Sequence, residues 1–154
     1  MSYRELHNSR INKKRKSRGL AAFVKIFITI FWVLFLLLNT WTESIERLIY
    51  LHTFGFRWIS KPDFLSFLNF NDFTVIHPEF IKIKLGHFIG FAVLDFLLFN
   101  LIKRHKYSVC ISIAFAFLTE ILQLFFGRDG RLYDIMIDSL GVLSVFFILK
   151  RLKL

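Results

Sequence analysis

Ile26-Phe-Ile-Thr-Ile-Phe-Trp-Val-Leu-Phe-Leu-Leu-Leu38 is an apolar run whose only polar side-chain groups are the Thr29 hydroxyl and the Trp32 indole N–H. Leu20 to Val24 precede it. Lys25 lies between the two, and its long stem lets the ammonium snorkel to water. Residues 20–41 therefore hold about the 20 residues that a helix needs to cross a hydrocarbon core. The run is followed by Asn39-Thr-Trp-Thr-Glu43, with no small-x-small cleavage pattern, so it is expected to be an uncleaved anchor rather than a signal peptide. Three further apolar stretches repeat the theme at 85–102, 107–126 and 132–149.

The composition agrees. Of 154 residues 55% are hydrophobic, 21 are Phe, and the mean hydropathy is +0.54. A water-soluble domain of this length has too much surface to hide so many large apolar side chains, and disorder is excluded on the same ground. The single cysteine, Cys110, rules out an intramolecular disulfide and any zinc site built on several thiolates. The net charge of +10 is what a nucleic-acid-binding arm would show. Its basic residues, however, flank apolar runs, where attraction to anionic lipid is the simpler account. No nucleic-acid partner is expected.

Orientation follows from where the cations sit. Residues 1–25, 103–106 and 150–154 carry 14 Lys or Arg and one acid, whereas 39–84 and 127–134 carry seven of each. By the positive-inside rule the first set is cytoplasmic. The expected architecture is an all-α, four-helix transmembrane bundle with both termini cytoplasmic and a long extracytoplasmic loop between helices 1 and 2. Its parts are a basic tail at 1–25, one transmembrane domain at 26–149 and a basic tail at 150–154. In the loop, a short interfacial helix is expected near 43–52, with irregular structure beyond. The aromatics there suit the headgroup region, either as a packed cap or as a lid.

Ionisable groups inside a membrane are costly, and each points to a partner or a site. Counted from Leu85, Phe126 and Ile135, where the apolar runs begin or end, His87, Glu120 and Asp138 lie about 3, 9 and 5 Å deep, and Asp95 lies about 15 Å deep near the midplane. Lys84, His87, Phe91 and Asp95 share one helix face, as do Glu120 and Gln123, and Asp134, Asp138 and Gly141. Those faces should turn inward, because lipid offers them no partners. Arg128 and Arg131, in the turn above, are placed to pair with the carboxylates or to hold an anion. Asn100 and Thr119 are expected to bond between helices, and Asp95 to pair structurally. The groups are many and one-sided, which favours a ligand site made of Lys84, His87, Glu120, Gln123, Arg128, Arg131, Asp134 and Asp138 over interhelical glue. His87, Glu120 and Asp138 offer metal-ligand atoms, yet no His-Glu-x-x-His type motif occurs, and no metal or other cofactor is expected. Ser112, Ser139 and Ser144 lack a base in a recognisable pattern, and Gly127, Gly130 and Gly141 do not form a phosphate loop.

The polar residues also form a string: Lys84-Leu-Gly-His-Phe88, Thr119-Glu-Ile-Leu-Gln123, Gly127-Arg128, Arg131, and Asp134-Ile-Met-Ile-Asp138-Ser-Leu-Gly141. From about Lys82 to Leu149 this resembles the VanZ-like family of small bacterial membrane proteins. The family pattern has Asn where Asp138 stands, Pro where Phe126 stands, and a second Gly where Val145 stands. The resemblance implies a bacterial plasma-membrane location and, for founding members, a link to resistance to the glycopeptide teicoplanin. It brings no chemical mechanism. The expected function is an outer-leaflet polar pocket that binds an anionic envelope lipid or a lipid-linked cell-wall precursor. The alternatives are a membrane enzyme modifying such a molecule, with His87 and Glu120 or Asp138 as its acid–base pair, and a structural accessory subunit.

The topology is testable in a Cys110→Ser background. A thiol reagent that cannot cross membranes should label Ser60→Cys in intact cells and Lys106→Cys only after permeabilisation. Labelling of both in intact cells would refute the assigned orientation.

Overall fold

The computed structural model describes residues 3–41, 58–69, 78–128 and 130–153, and these residues are helical apart from short connections. The helices are α1 (Tyr3–Trp41), α2 (Pro78–Ile102), α3 (His105–Phe125) and α4 (Leu132–Arg151). A 3-10 turn, Phe64–Leu68, lies in the segment before α2. All four helices contain a stretch long and apolar enough to cross a membrane: Lys14–Thr40, Ile81–Ile102, His105–Phe125 and Leu132–Arg151. The sequence-based boundaries shift in two places. The basic tail is helical from Tyr3, as its many Lys and Arg residues permit. α2 starts seven residues before Leu85, with Pro78 in the first-turn position where a missing N–H leaves nothing unsatisfied. The interfacial helix expected near 43–52 falls outside the described residues.

The helices alternate in direction. The C-terminal end of α1, the start of α2, the end of α3 and the start of α4 share one end of the bundle, the loop end. The α2–α3 connection and the end of α4 share the other. There Lys103, in a left-handed conformation (φ 58°), closes α2 by donating its N–H to Phe99 O at 2.8 Å. His105 stacks on Phe99 at 4.2 Å and meets Phe146 edge-on at 5.6 Å.

The core is a layer of Leu36, Phe91, Leu94, Ala116 and Val142, with Trp32, Val33, Leu98, Val109, Ile113 and Phe115 around it. α2 packs most extensively against α4, and α1 lies on α2 and α3. The α2–α4 approach depends on Gly141, where a Cβ would collide with the carbonyl of Phe88. α1 is joined to α2 by the Trp32 indole, which donates to Gly90 O at 2.9 Å. Much of its apolar stretch from Leu20 to Leu38 is exposed Leu, Ile and Phe, as a lipid-facing helix requires. Its Thr29, Asn39 and Thr40 side chains bond to carbonyls one turn back, so none enters lipid with an unmade bond.

Asp95 is buried beside Ser112 of α3, whose hydroxyl donates to it at 3.4 Å, in line with a structural role. The expectation for Thr119 and Asn100 is corrected. Thr119 donates to Ala116 O in its own helix, and Asn100 accepts from Lys103 three residues on. Both groups find satisfaction locally, before a neighbouring helix is needed.

Gly141→Ala should therefore destabilise the bundle by about 1–3 kcal/mol through overpacking. Gly86→Ala, where a Cβ meets nothing within 4 Å, should be neutral. Thermal melting of the two purified variants in one detergent checks the contrast.

Candidate functional site

The loop end is built from the turn between α3 and α4. Gly127 (φ 70°) takes the left-handed position that ends α3, and Arg128 N–H returns to Gln123 O at 2.9 Å, closing a Schellman-type cap. The chain then passes so close to α3 that a Cβ at Gly130 would strike the Glu120 carbonyl. That approach brings the Arg131 N–H within 3.0 Å of Glu120 Oε2. Glu120 thus sits at the N-terminus of α4, where the helix dipole favours a negative charge. Its other oxygen, Oε1, accepts from the Gln123 amide at 2.8 Å.

Three ionisable side chains meet beneath this turn. His87 Nδ1 lies 3.3 Å from Asp138 Oδ1 and 3.8 Å from Glu120 Oε1. The Glu120 and Asp138 side chains are fully buried, and that of His87 is 20% exposed. Measured from the ends of the apolar spans, the three stand at one level. His87 is six residues from Ile81, Glu120 five from Phe125 and Asp138 six from Leu132, each about 8–9 Å in. The smaller distances given for His87 and Asp138 from the sequence were counted from Leu85 and Ile135, inside the two helices. Nearer the rim, the Lys84 ammonium lies 2.7 Å from each oxygen of Asp134 and 4.8 Å from the centroid of the Tyr133 ring.

Of the eight expected site residues, seven are linked directly into two groups, Arg131 through its backbone N–H. His87, Glu120, Gln123, Asp138 and the Arg131 backbone form one, and Lys84 and Asp134 form the other. The two arginine side chains also reach backbone carbonyls. Arg131 donates from Nη1 to Ser66 O at 2.6 Å, and Arg128 donates from Nη1 to Asn39 O. They tie the α3–α4 turn to the long loop and to the end of α1. The same loop segment is held by Ile59 N–H, which donates to Phe125 O at 2.8 Å, and by Trp58, stacked on Phe125 at 5.4 Å. Tyr133, Ser66 and Gly130 were not legible as site residues. Two act through backbone atoms, and the Tyr133 ring lies beside Lys84 only after folding.

A family model described as VanZ/LLP1 matches residues 22–153. The chain belongs to the VanZ/LLP1 family. The match reaches well into α1, further than the Lys82–Leu149 stretch whose motifs carry the resemblance. Among curated proteins this VanZ/LLP1 chain is similar to the uncharacterized membrane protein YwnJ of Bacillus subtilis (strain 168). The two are 39% identical over 113 residues, covering 72% of this chain and 79% of YwnJ. No solved structure matches.

Asp134 is 3% exposed and Lys84 17%. Removing one partner of such a pair strands a buried charge. Lys84→Met alone should destabilise the protein by about 3–5 kcal/mol, whereas the Lys84→Met, Asp134→Leu double variant should recover most of the loss. Melting of the two variants beside wild type measures the coupling.

Proposed function

We propose that the loop end of the bundle is an outer-leaflet pocket for the headgroup of an anionic envelope amphiphile. The ligand class is an anionic lipid or a lipid-linked cell-wall precursor. The observation that carries this reading is the meeting of acids, amide and imidazole from three helices at one end, edged by the cations Lys84, Arg128 and Arg131. Such a group is costly in hydrocarbon and serves no purpose that apolar packing could not serve at lower cost.

In this reading Arg128 and Arg131 face the anion, their guanidiniums anchored by backbone carbonyls of separate segments. Anchoring fixes the position of each charge. Lys84 is the rim cation. Asp134 orients Lys84, and Glu120 orients the turn that carries both arginines. Gln123 and Asp138 meet hydroxyl or amide groups of the ligand. His87, partly exposed, is a donor at the mouth. Trp58 and Phe64, each more than half exposed, suit the headgroup level where amphipathic rings gather. The positive-inside distribution supports an opening away from the cytosol. A precursor as ligand would connect the pocket to the teicoplanin phenotype that the family resemblance suggests.

The 3.3 Å approach of His87 to Asp138 also favours a second reading, a membrane enzyme using that pair for proton transfer on the same class of molecule. Turnover separates the two. Under the second reading, a modified lipid disappears on His87→Ala at unchanged protein level.

The binding test compares lipids co-purified with wild type and with the Lys84→Met, Asp134→Leu, Arg128→Gln variant by mass spectrometry. Wild type should enrich one anionic lipid class over the host membrane, and the variant should lose about tenfold of that enrichment, the equivalent of roughly one weakened charge contact. Identical lipid profiles would remove the proposal.

A further inference from the structure

The trio His87, Glu120 and Asp138 has a geometry that headgroup binding does not require. One donor atom from each lies within 4.8 Å of the others. His87 Nδ1 stands 3.3 Å from Asp138 Oδ1 and 3.8 Å from Glu120 Oε1. A tetrahedral zinc ion with bonds of about 2.0–2.2 Å holds its donor atoms roughly 3.3–3.6 Å apart. Two of the three edges are therefore at that length or a few tenths of an ångström beyond it.

The second observation is Asp138 itself. Its side chain is fully buried, and among the described residues neither of its oxygens has a hydrogen-bond partner. His87 Nδ1 is a buried atom in the same condition. A buried carboxylate and an imidazole nitrogen that face each other across 3.3 Å are close enough to pair directly, and they are equally placed as two ligands around a third body. Glu120 differs, since Gln123 and the Arg131 N–H hold both of its oxygens. That is how outer-shell groups orient a metal-binding carboxylate.

We propose that His87, Glu120 and Asp138 bind one divalent transition-metal ion of the zinc type. Charge supports the assignment. Lys84 and Asp134 compensate each other, which leaves the two acids of the trio opposite a dication. The imidazole selects a zinc-like ion over magnesium or calcium, which prefer all-oxygen sites. Three protein donors leave a coordination position for a further ligand. A phosphate oxygen suits that position, so the ion and the headgroup pocket are compatible, but the metal site does not rest on the lipid reading. The ligands come one from each of three helices, which is why no paired motif marks them in the sequence.

The test uses the full chain, purified in detergent on a tag without histidines, stripped with a chelator, and offered Zn2+, Co2+, Mn2+, Mg2+ or Ca2+. Bound metal is counted by mass spectrometry after gel filtration. Wild type should hold one Zn2+ per chain, melt at a higher temperature with it, and show the visible absorption of four-coordinate cobalt when Co2+ replaces zinc. Asp138→Asn and His87→Gln should each weaken zinc binding by at least about tenfold. Asp95→Asn, a buried carboxylate outside the trio, should leave it unchanged. The site is refuted if wild type holds no stoichiometric zinc, if both trio variants bind as tightly as wild type, or if Mg2+ or Ca2+ is preferred. If Asp138→Asn does not elute as folded protein, His87→Gln, at a partly exposed position, decides the same question. Lipid analysis of the same samples keeps the two proposals apart. Zinc without lipid enrichment sinks only the headgroup reading, and lipid enrichment without zinc sinks only the metal site.

Discussion

Hydrocarbon offers no hydrogen bonds, and every buried polar group of this chain must find its partner inside the bundle. That constraint sets the rotation of the helices about their own axes. α2 can present Lys84, His87 and Asp95 to partners only if the stripe through Phe91 faces inward. α3 must turn Glu120 and Gln123 the same way, and α4 must turn Asp134 and Asp138. The apolar residues fill what is left. Exposed Phe and Ile on the opposite faces are then at home against lipid and need no packing partner.

Close backbone approach lets so many polar groups meet in a small volume. Gly141 brings α4 against the carbonyl of Phe88, one residue beyond His87, and so sets the short His87–Asp138 distance. Gly130 brings the α3–α4 turn against Glu120, which allows a backbone N–H to reach its carboxylate. Each glycine is thus a requirement of the site as much as of the fold. The two arginines extend the same construction outward. By reaching carbonyls of Asn39 and Ser66 they bind the turn to the end of α1 and to the loop, and the loop end becomes one connected structure. A pocket for a charged headgroup needs such rigidity, because a charge that can relax away from its ligand contributes little to binding.

The legible part of this protein was legible because periodicity and hydropathy are local. The four apolar runs predicted four crossings. The i, i+3 and i+4 spacing of Lys84, His87, Phe91 and Asp95 predicted an inward stripe, and the Arg-rich turn marked the end where polar groups gather. Local inference was weaker at the boundaries. The start of α2 depends on Pro78 and on how far a helix continues past its apolar run, so His87 was placed too near the start of its helix. It also misjudged Thr119 and Asn100, whose short side chains reach partners within their own helix or its end.

The sequence alone therefore determined an all-helical membrane protein, the number of its spans and the faces they turn inward, because each of these follows from the composition and period of a continuous segment. Only the tertiary structure decided that His87, Glu120 and Asp138 stand at one depth within ion-binding distance, that Lys84 lies astride Asp134 beside Tyr133, and that Arg128 and Arg131 hold backbone carbonyls. The reason is geometric. One residue from each of three helices leaves no spacing to read, and their meeting depends on helix offsets and crossings fixed by contacts such as Gly141 against Phe88.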